Sequence, residues 1–227
     1  MNEQVLRLQS QVDRLLAGRQ GIRILEAGCG SASYLRWGAG AHIVGIDISE
    51  KQLRRNPVID ERILGDIQSY PLPPAAFDAI VCWDVLEHLP QPERALAHFA
   101  RAIKEDGIII LALPNVLSLR SLVARLTPYR FHIWAYRTLY RDNRAGMEDW
   151  GPFPTYLRLS LAPGALRRFA AAHGLAVEYE SIYESGRQRK LRERYGLVGW
   201  RWRLLKRATR LLSLGAVDAE RTDCILV

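Results

Sequence analysis

Residues 24–33 read ILEAGCGSAS, and this stretch decides how the rest of the chain is interpreted. The apolar pair Ile24 and Leu25 is typical of the end of a buried strand, and Gly28 and Gly30 let the backbone turn sharply behind it. Glycine also lets a ligand approach the backbone within contact distance, because no Cβ blocks the way. The stretch therefore predicts a strand followed by a ligand-binding turn.

A second stretch, VGIDIS at 44–49, places an acid at the end of the next predicted strand. In an open parallel sheet, ligands bind in the crevice beyond the carboxyl ends of the strands. From that position the Asp47 carboxylate can accept hydrogen bonds from two adjacent ribose hydroxyls. The two stretches together predict a nucleoside pocket.

Short β-branched runs alternate with helical patterns along most of the chain, and several runs are apolar on both faces. This pattern is typical of a parallel sheet covered by helices on both sides. The sequence therefore predicts an α/β fold with a doubly wound, mostly parallel, seven-stranded Rossmann-like sheet. The predicted strands are Arg23–Ala27, His42–Asp47, Arg62–Gly65, Phe77–Trp83, Gly107–Leu113, Leu175–Ser181 and Asp223–Val227, and the clearest helices cover residues 3–17, Pro92–Lys104 and Pro163–His173.

The first loop argues against a dinucleotide ligand. A dinucleotide site needs a third glycine at the position of Ser33, where the helix that follows would hold a pyrophosphate, and we expect only a short helix there. The carboxylate of Glu26 would repel a pyrophosphate but would suit a cationic amino group. EAGCGSAS, followed by GIDIS, GDI and VLEHL, resembles the class I S-adenosylmethionine-dependent methyltransferases, especially the branch similar to the ubiquinone and menaquinone biosynthesis enzymes. The third glycine that is usual in that family's loop is Ala32 here.

The resemblance implies that S-adenosyl-L-methionine is the cofactor and that the ends of the first four strands hold it. The first loop would serve the methionine part, the next two strand ends the ribose and the adenine, and the fourth strand end the sulfonium. The residues implied, in chain order, are Glu26, Gly28, Cys29, Gly30, Asp47, Ile48, Asp66, Ile67, Trp83 and Asp84. For Asp66 a role in a turn stays open, and Cys29 is expected to be a small filler.

Methyl transfer from a sulfonium mainly needs alignment of donor and acceptor and exclusion of water. If the acceptor must lose a proton, His88 and His132 are the candidate catalytic bases, because imidazole titrates near neutral pH. Structural roles stay open for both histidines. His88 lies in a predicted loop before a helix, and His132 stands among aromatic residues that could bury it.

Residues 115–160 show no clean periodicity and carry eight of the chain's twenty aromatic residues. A connection of this length is usually functional or disordered, and this one is too aromatic for disorder. We expect it to fold over the crevice as an apolar cap, with Trp134, Tyr136 and Phe153 contacting the substrate. The expected acceptor is a small molecule that is apolar, aromatic, or linked to a lipid or glycan.

The net charge of +8 is concentrated in one segment, Gly186–Arg210, which has ten Lys or Arg residues and the single acid Glu193. On a helical wheel over 197–214, the apolar residues fall within an arc of roughly 160°. Two interpretations stay open. This helix either packs on the sheet with a solvated basic face, or rests on the surface of an anionic membrane. Nucleic acid is not an expected partner, because the charge lies outside the core.

These patterns predict one domain with insertions. An N-terminal helix (1–18) precedes a cofactor-binding core (19–114), the aromatic cap (115–160), a helix and strand (161–182), a basic amphipathic insertion (183–215) and the last strand (216–227). The three cysteines are widely spaced and no residues have metal-ligand spacing, so neither disulfides nor a metal site is expected. The N-terminal stretch is unlike a signal peptide and no run of about 20 apolar residues occurs, which favours a cytoplasmic protein, peripheral to the inner face of a membrane if the basic helix binds lipid.

Three alternatives share this fold. An NAD(P)-dependent oxidoreductase commonly uses a tyrosine with a lysine four residues on, and none of the nine tyrosines has one. A nucleic-acid methyltransferase would explain the basic segment, but CWDV at 82–85 stands where its Pro-Pro-aromatic signature is expected. A non-catalytic member that binds the cofactor stays possible, because transfer by proximity requires no obligatory catalytic residue.

Overall fold

The computed structural model describes residues 3–147, 150–215 and 217–227, and its strands form a seven-stranded sheet. The strands are β1 (Arg23–Ala27), β2 (His42–Asp47), β3 (Glu61–Leu64), β4 (Phe77–Trp83), β5 (Ile103–Pro114), β6 (Glu180–Tyr183) and β7 (Asp223–Leu226). Their order across the sheet is β3-β2-β1-β4-β5-β7-β6. The first five pair in parallel, and β7 runs antiparallel to both β5 and β6. The predicted α/β fold with a mostly parallel, seven-stranded sheet is confirmed.

The strand pattern decides which edge of the sheet carries the site. β1 to β5 end at the same edge, and the antiparallel β7 begins there, because Pro114 at the end of β5 pairs with Asp223 at the start of β7. Most predicted strand boundaries agree with the structure to within a few residues. The exception is β6, predicted at Leu175–Ser181, which starts five residues later because its partner β7 is only four residues long.

Eight α-helices lie in the described ranges. They are α1 (Glu3–Leu15), α2 (Glu50–Arg55), α3 (Pro92–Ala102), α4 (Leu119–Leu126), α5 (Tyr129–Thr138), α6 (Pro163–Ala172), α7 (Gly186–Arg194) and α8 (Gly199–Leu212). Neighbouring residues of β1 point to opposite faces of the sheet, as the pleat requires. Ile24 packs in one core cluster with Leu8 of α1, and Leu25 packs in the other with Phe99 of α3. Both faces of the sheet are therefore covered.

The connection between β1 and β2 differs from the prediction. The short helix expected after ILEAGCGSAS is not present, and residues 31–41 form turns and irregular backbone. Two features explain the difference. Leu8 and Val12 of α1 already cover Ile24 on this face of the sheet, in a cluster that also takes Leu35. In addition, residues 38–40 read GAG, and glycine disfavours helix.

The cap segment contains two helices that were not predicted, although the apolar residues of α4 recur at helical spacing. Ser118 caps α4, and its Oγ accepts a hydrogen bond from the amide of Ser121 at 3.1 Å. In α5 no residue is fully buried, and its aromatic residues are spread around the helix instead of forming one stripe. The usual sign of an amphipathic helix is therefore missing from the sequence.

The basic insertion folds into α7 and α8, and the interpretation of a helix packed on the sheet through its apolar arc is wrong. Trp200, Leu204 and Leu211 belong to that arc, and they are 65%, 59% and 77% exposed. The buried residue of α8 is Trp202, at the border of the arc, whose indole Nε1 donates to Glu220 Oε1 at 2.8 Å. Across the described residues, no helix is long and apolar enough to cross a membrane.

Candidate functional site

The loop after β1 needs glycine at position 28 because another part of the chain lies close to it. Gly28 has φ +70°, and a Cβ there would lie 2.4 Å from Cγ2 of Val85, in the turn after β4. Gly30 also has a positive φ, +52°, in the region that favours glycine. The loop therefore presents bare backbone where β1 and β4 end.

Asp47 at the end of β2 is held in a fixed orientation by two backbone amides. Its Oδ2 accepts from the amide of Gly30 at 2.9 Å, and its Oδ1 accepts from the amide of Ser49 at 2.8 Å. Each carboxylate oxygen keeps a further lone pair for another donor. The neighbouring Ile48 is 77% exposed, so its side chain offers an apolar surface beside the carboxylate. This combination suits a ligand with two adjacent hydroxyls and a flat apolar ring.

Asp66 follows β3 and stabilises a turn, which is one of the two roles that the sequence analysis left open for it. Its Oδ1 accepts from the amide of Gln68 at 2.8 Å, and the Gln68 side-chain amide lies 3.1 Å from both carboxylate oxygens. Ile67 is buried in the core beneath this turn. A contact of Asp66 with adenine stays a prediction.

Glu26, near the end of β1, and Cys29, in the loop that follows, are both buried. Burial raises the pKa of Glu26, while a hydrogen bond donated by the Ser33 hydroxyl opposes that shift. Burial also raises the pKa of the Cys29 thiol to about 12, which keeps it protonated and fits the expected role as a filler. Both residues border a small cavity of about 20 Å³ that reaches Trp83.

A larger cavity of about 430 Å³ lies on the other side of Trp83. The ring of Tyr34 stacks on Trp83, with centroids 4.6 Å apart, and both residues line both cavities. The larger cavity therefore occupies the edge of the sheet next to the glycine loop. Its lining residues are Val5, Ser33, Tyr34, Trp83, Asp84, Ala112, Leu113, Tyr183, Ser185, Gly186 and Asp223.

Two carboxylates in this cavity have different surroundings. Asp223 already has two donors, because its Oδ1 accepts from Arg120 at 3.1 Å and its Oδ2 accepts from the Thr222 hydroxyl at 2.8 Å. Asp84 has φ +51° and is accessible to solvent through the cavity, although protein walls surround it. Desolvation by these walls and the nearby charge of Asp223 raise the pKa of Asp84 to about 6, while Arg120 and Arg187 oppose the shift.

The candidate histidines lie outside the walls of both cavities. His88 Nδ1 is 2.8 Å from the Pro154 carbonyl oxygen, and burial lowers the pKa of its imidazole, so the ring is neutral near pH 7. His132 Nε2 lies 2.9 Å from the Thr127 hydroxyl and 3.0 Å from the Ala124 carbonyl oxygen. Through these contacts His132, which lies in α5, joins that helix to the end of α4.

The cap aromatics are also separate from the larger cavity. Trp134 is half exposed and packs on Phe131, Tyr136 accepts from Arg187 Nη1 at 2.9 Å, and Phe153 packs edge-on against His88. Trp134, Tyr136 and Phe153, the three predicted substrate residues, line neither of these two cavities. The larger cavity is lined instead by Tyr34, Tyr183 and Asp223, which were not predicted from the sequence. The sequence signal for Asp223 was its place at the start of a strand that had to pair with β5.

Within ranges 3–147, 150–215 and 217–227, no group of three or more His, Cys, Asp or Glu side chains is placed to hold a metal ion. The glycine backbone, Asp47 and Ile48 provide what a nucleoside ligand with a short polar chain requires. The arrangement can hold such a ligand at the ends of β1 and β2, beside a second cavity beyond Trp83.

Comparison with known proteins agrees with this arrangement. The ubiquinone biosynthesis O-methyltransferase of Dechloromonas aromatica (strain RCB) is 32% identical over 105 residues, which are 42% of this chain and 45% of that protein. The enzyme of the same description from Thiobacillus denitrificans is 30% identical over 168 residues, 70% of this chain and 66% of that protein. The chain thus spans less than two thirds of the length of these relatives.

The fold is also found in a solved structure. The crystal structure of the YcgJ protein from Bacillus subtilis has a TM-score of 0.54 and 15% identity, and the match covers 99% of this chain and 97% of that one. At this level of identity the likeness concerns the fold. The model of the family described as "Methyltransferase domain" matches residues 1–180. This match spans most of the chain, and the chain therefore belongs to the methyltransferase-domain family.

Proposed function

We propose that the protein transfers a methyl group from S-adenosyl-L-methionine to a small-molecule acceptor. The observation that carries the proposal is the fixed carboxylate of Asp47, bound by the amides of Gly30 and Ser49, beside a loop that needs glycine at position 28. Membership of the methyltransferase-domain family supports it. When bound, the cofactor supplies an electrophilic methyl group on a positively charged sulfur.

Different residues of this chain would bind different parts of the cofactor. Asp47 would accept hydrogen bonds from the ribose hydroxyls, and the exposed side chain of Ile48 would pack on the adenine. Glu26 would act near the methionine amino group through the loop that it holds with Ser33. Asp66 would accept from the adenine amine with Ile67 beside it, although its oxygens already face Gln68.

The acceptor would lie in the cavity of about 430 Å³ beyond the Tyr34–Trp83 pair. In-line displacement destroys charge rather than creating it, so the protein mainly needs to align the reactants and exclude water. The apolar walls formed by Trp83, Leu113 and Tyr183 suit an acceptor with an apolar or aromatic body, including one linked to a lipid or glycan. His88 and His132 would serve as bases only for an acceptor that reaches beyond these walls, and the same holds for contacts with Trp134, Tyr136 and Phe153.

The test is turnover with methyl-labelled S-adenosyl-L-methionine and a panel of phenols, quinols and lipid extracts, with S-adenosyl-L-homocysteine measured by mass spectrometry. We expect cofactor-dependent label in a small-molecule product, and its loss in Asp47→Asn. The matched control is Glu105→Gln, an exposed carboxylate in the first half of β5, away from the end that lines the cavity. Cofactor binding without label in any fraction would favour the non-catalytic alternative, and label in RNA or DNA would favour the nucleic-acid alternative. An oxidoreductase is not favoured, because the matching family is that of a methyltransferase domain.

We also propose that α8 rests on an anionic membrane surface, which would place a cytoplasmic protein at the inner face of a membrane. Trp200, Leu204 and Leu211 are exposed on one side of the helix. Arg203 and Arg207, also exposed, lie next to them at helical spacing. Helices that lie at a membrane surface typically expose tryptophan and leucine flanked by arginine. Anionic lipid attracts the arginine charges, and the apolar side chains enter the headgroup region.

Cosedimentation with vesicles of neutral or partly anionic lipid tests the membrane proposal. The wild type should bind anionic vesicles at low salt, and Arg203→Glu/Arg207→Glu should lose at least about tenfold in affinity. Arg101→Glu/Arg168→Glu makes the same change of charge on exposed residues of α3 and α6 and should bind like the wild type. Equal loss in both double variants would show that net charge alone matters, and no binding by the wild type would contradict the proposal.

A further inference from the structure

The carboxylate of Asp84 borders the larger cavity. Among the residues that the structure describes, no group donates a hydrogen bond to the carboxyl of Asp84. Its backbone is fixed, because its amide donates to the Ala112 carbonyl oxygen at 2.8 Å and its φ is +51°. A non-glycine residue in the left-handed region is uncommon and occurs often at functional sites. The fold therefore holds an acceptor oxygen at the border between β4 and the cavity.

The charges around Asp84 nearly cancel. Asp223 is paired with Arg120 at 3.1 Å, and the field of Arg187 from α7 opposes the negative charge of Asp84. Burial raises the pKa values of the other titratable groups near Asp84, which are Glu87, Tyr34 and Tyr183, and so favours their uncharged forms. A cavity with no excess negative charge favours a neutral hydrogen-bond donor over an ammonium group.

We propose that this cavity takes a small ring-bearing molecule with a hydroxyl group, and that Asp84 accepts a hydrogen bond from this hydroxyl and removes its proton during methyl transfer. This inference rests on the proposed function and names the acceptor chemistry of the same site. The volume of about 430 Å³ is within the usual range for small-molecule pockets, and the rings of Trp83 and Tyr183 would flank the ring.

The reaction balances without a further reactant. The bond between the sulfonium sulfur and its methyl carbon breaks, and its electron pair stays on sulfur. A bond forms between the hydroxyl oxygen and the methyl carbon, and the hydroxyl proton passes to a carboxylate oxygen of Asp84 and then to solvent. The pKa of Asp84, about 6, is close to the operating pH, where a general base is most effective.

Matched fragment pairs separate this role from simple cavity filling. The pairs are phenol and anisole, catechol and veratrole, and benzyl alcohol and its methyl ether; in each pair a methyl group replaces the proton of every hydroxyl, one in the first and third pairs and two in the second. Binding is measured by ligand-observed NMR at millimolar concentration, with S-adenosyl-L-homocysteine present. The proteins are the wild type, Asp84→Asn and the control Glu105→Gln, and cofactor affinity is measured separately for each by calorimetry.

In the wild type and in Glu105→Gln, each hydroxyl compound should bind at least about tenfold tighter than its ether, as expected for a hydrogen bond to a charged group. In Asp84→Asn this preference should fall to about threefold or less when S-adenosyl-L-homocysteine is present at a concentration that saturates each protein. The preference should also weaken as the pH falls below about 6 and Asp84 becomes protonated. Binding of no fragment to the wild type, or an equal preference in Asp84→Asn, would overturn the assignment. Tighter binding of benzylammonium than of benzyl alcohol at neutral pH would also overturn it. Failure of the wild type to bind S-adenosyl-L-homocysteine would instead contradict the proposed function.

Discussion

Tyr34 and Trp83 stack with their ring planes 17° apart, and the pair separates the small cavity beside the glycine loop from the larger cavity. The small cavity, about 20 Å³, has room for about one water molecule, far less than a methionine chain needs. Tyr34 belongs to the irregular connection between β1 and β2. If S-adenosyl-L-methionine binds at the glycine loop, Tyr34 must therefore move away from Trp83.

The first prediction concerns the rate of this movement. Replacement of Tyr34 by Ala removes a stacked pair worth about 0.5–1.5 kcal/mol, so the association rate of S-adenosyl-L-homocysteine should rise about twofold to tenfold. Stopped-flow tryptophan fluorescence measures it. Tyr195→Ala removes an exposed tyrosine at the end of α7 and should leave the rate unchanged. An unchanged or slower rate in Tyr34→Ala would show that the tyrosine does not obstruct the site.

The second prediction uses two glycines with nearly the same backbone conformation. Gly28 has φ +70° and Gly174 has φ +71°, but a Cβ at Gly28 would collide with Val85, whereas a Cβ at Gly174 has no atom within 4 Å. Gly174→Ala should lose about 1–2 kcal/mol of stability in urea unfolding, from backbone strain. Gly28→Ala should lose more and should also lose cofactor affinity. Adding Val85→Ala should restore part of both, because it removes the two Cγ atoms nearest to the new Cβ. Equal losses in the two single variants would contradict the close packing of the loops.

Much of the fold could be predicted because each strand of the sheet is a short apolar run that can be recognised from its own residues. Runs such as Phe77–Trp83 are apolar on both faces, and the structure buries that strand almost completely. The cap helix α4 has Leu119, Leu122, Val123 and Leu126 at helical spacing and could have been predicted, but α5 could not be predicted in this way. In α5 no residue is fully buried, so no face had to be apolar. The missing helix after β1 depends on α1, which covers that face of the sheet from a distant part of the sequence.

The third prediction concerns stability against pH. Burial alone would raise the pKa of Asp78, but the ammonium of Lys104 and the amide of Arg23, each 2.8 Å from Oδ2, bring the pKa below its usual value. Its contribution is therefore present above the unfolded-state pKa of about 3.9 and is lost as the pH falls through the folded-state pKa. Asp78→Asn should cost about 1–3 kcal/mol in urea unfolding at pH 7, and the difference from the wild type should narrow below about pH 4. Glu105→Gln serves as the control, and a difference that stays constant down to pH 3 would refute the ion-pair explanation.

The fourth prediction concerns how α8 is attached. Trp202 Nε1 and Lys206 Nζ both donate to Oε1 of Glu220 at 2.8 Å. Glu220→Ala should release α8, so that trypsin cleaves residues 199–212 faster while the thermal unfolding of the rest changes little. Glu193→Gln, on the exposed side of α7, should be cleaved like the wild type. An unchanged cleavage rate in Glu220→Ala would mean that other contacts hold the helix.

The site was predictable where one residue type at a strand end carries the chemistry, as for Asp47, which the structure places against the Gly30 amide. The acceptor side was not predictable, because it depends on the direction of β7. An antiparallel last strand brings its first residue, Asp223, to the edge where β4 ends with Trp83. The sequence pattern directed attention to the cap aromatics instead, because their number is visible along the chain and their exposure is not.

We propose that the glycine loop and Asp47 bind the adenosine and amino-acid parts of one cofactor. Titration calorimetry of the purified protein with S-adenosyl-L-homocysteine tests it most directly, with Asp47→Asn and Glu105→Gln as the paired variants. We expect one site in the wild type and in Glu105→Gln. In Asp47→Asn the affinity should fall at least about tenfold, because an amide cannot accept from both backbone amides and the ribose as a carboxylate does. No heat with the wild type, or equal affinity in Asp47→Asn, would contradict the account.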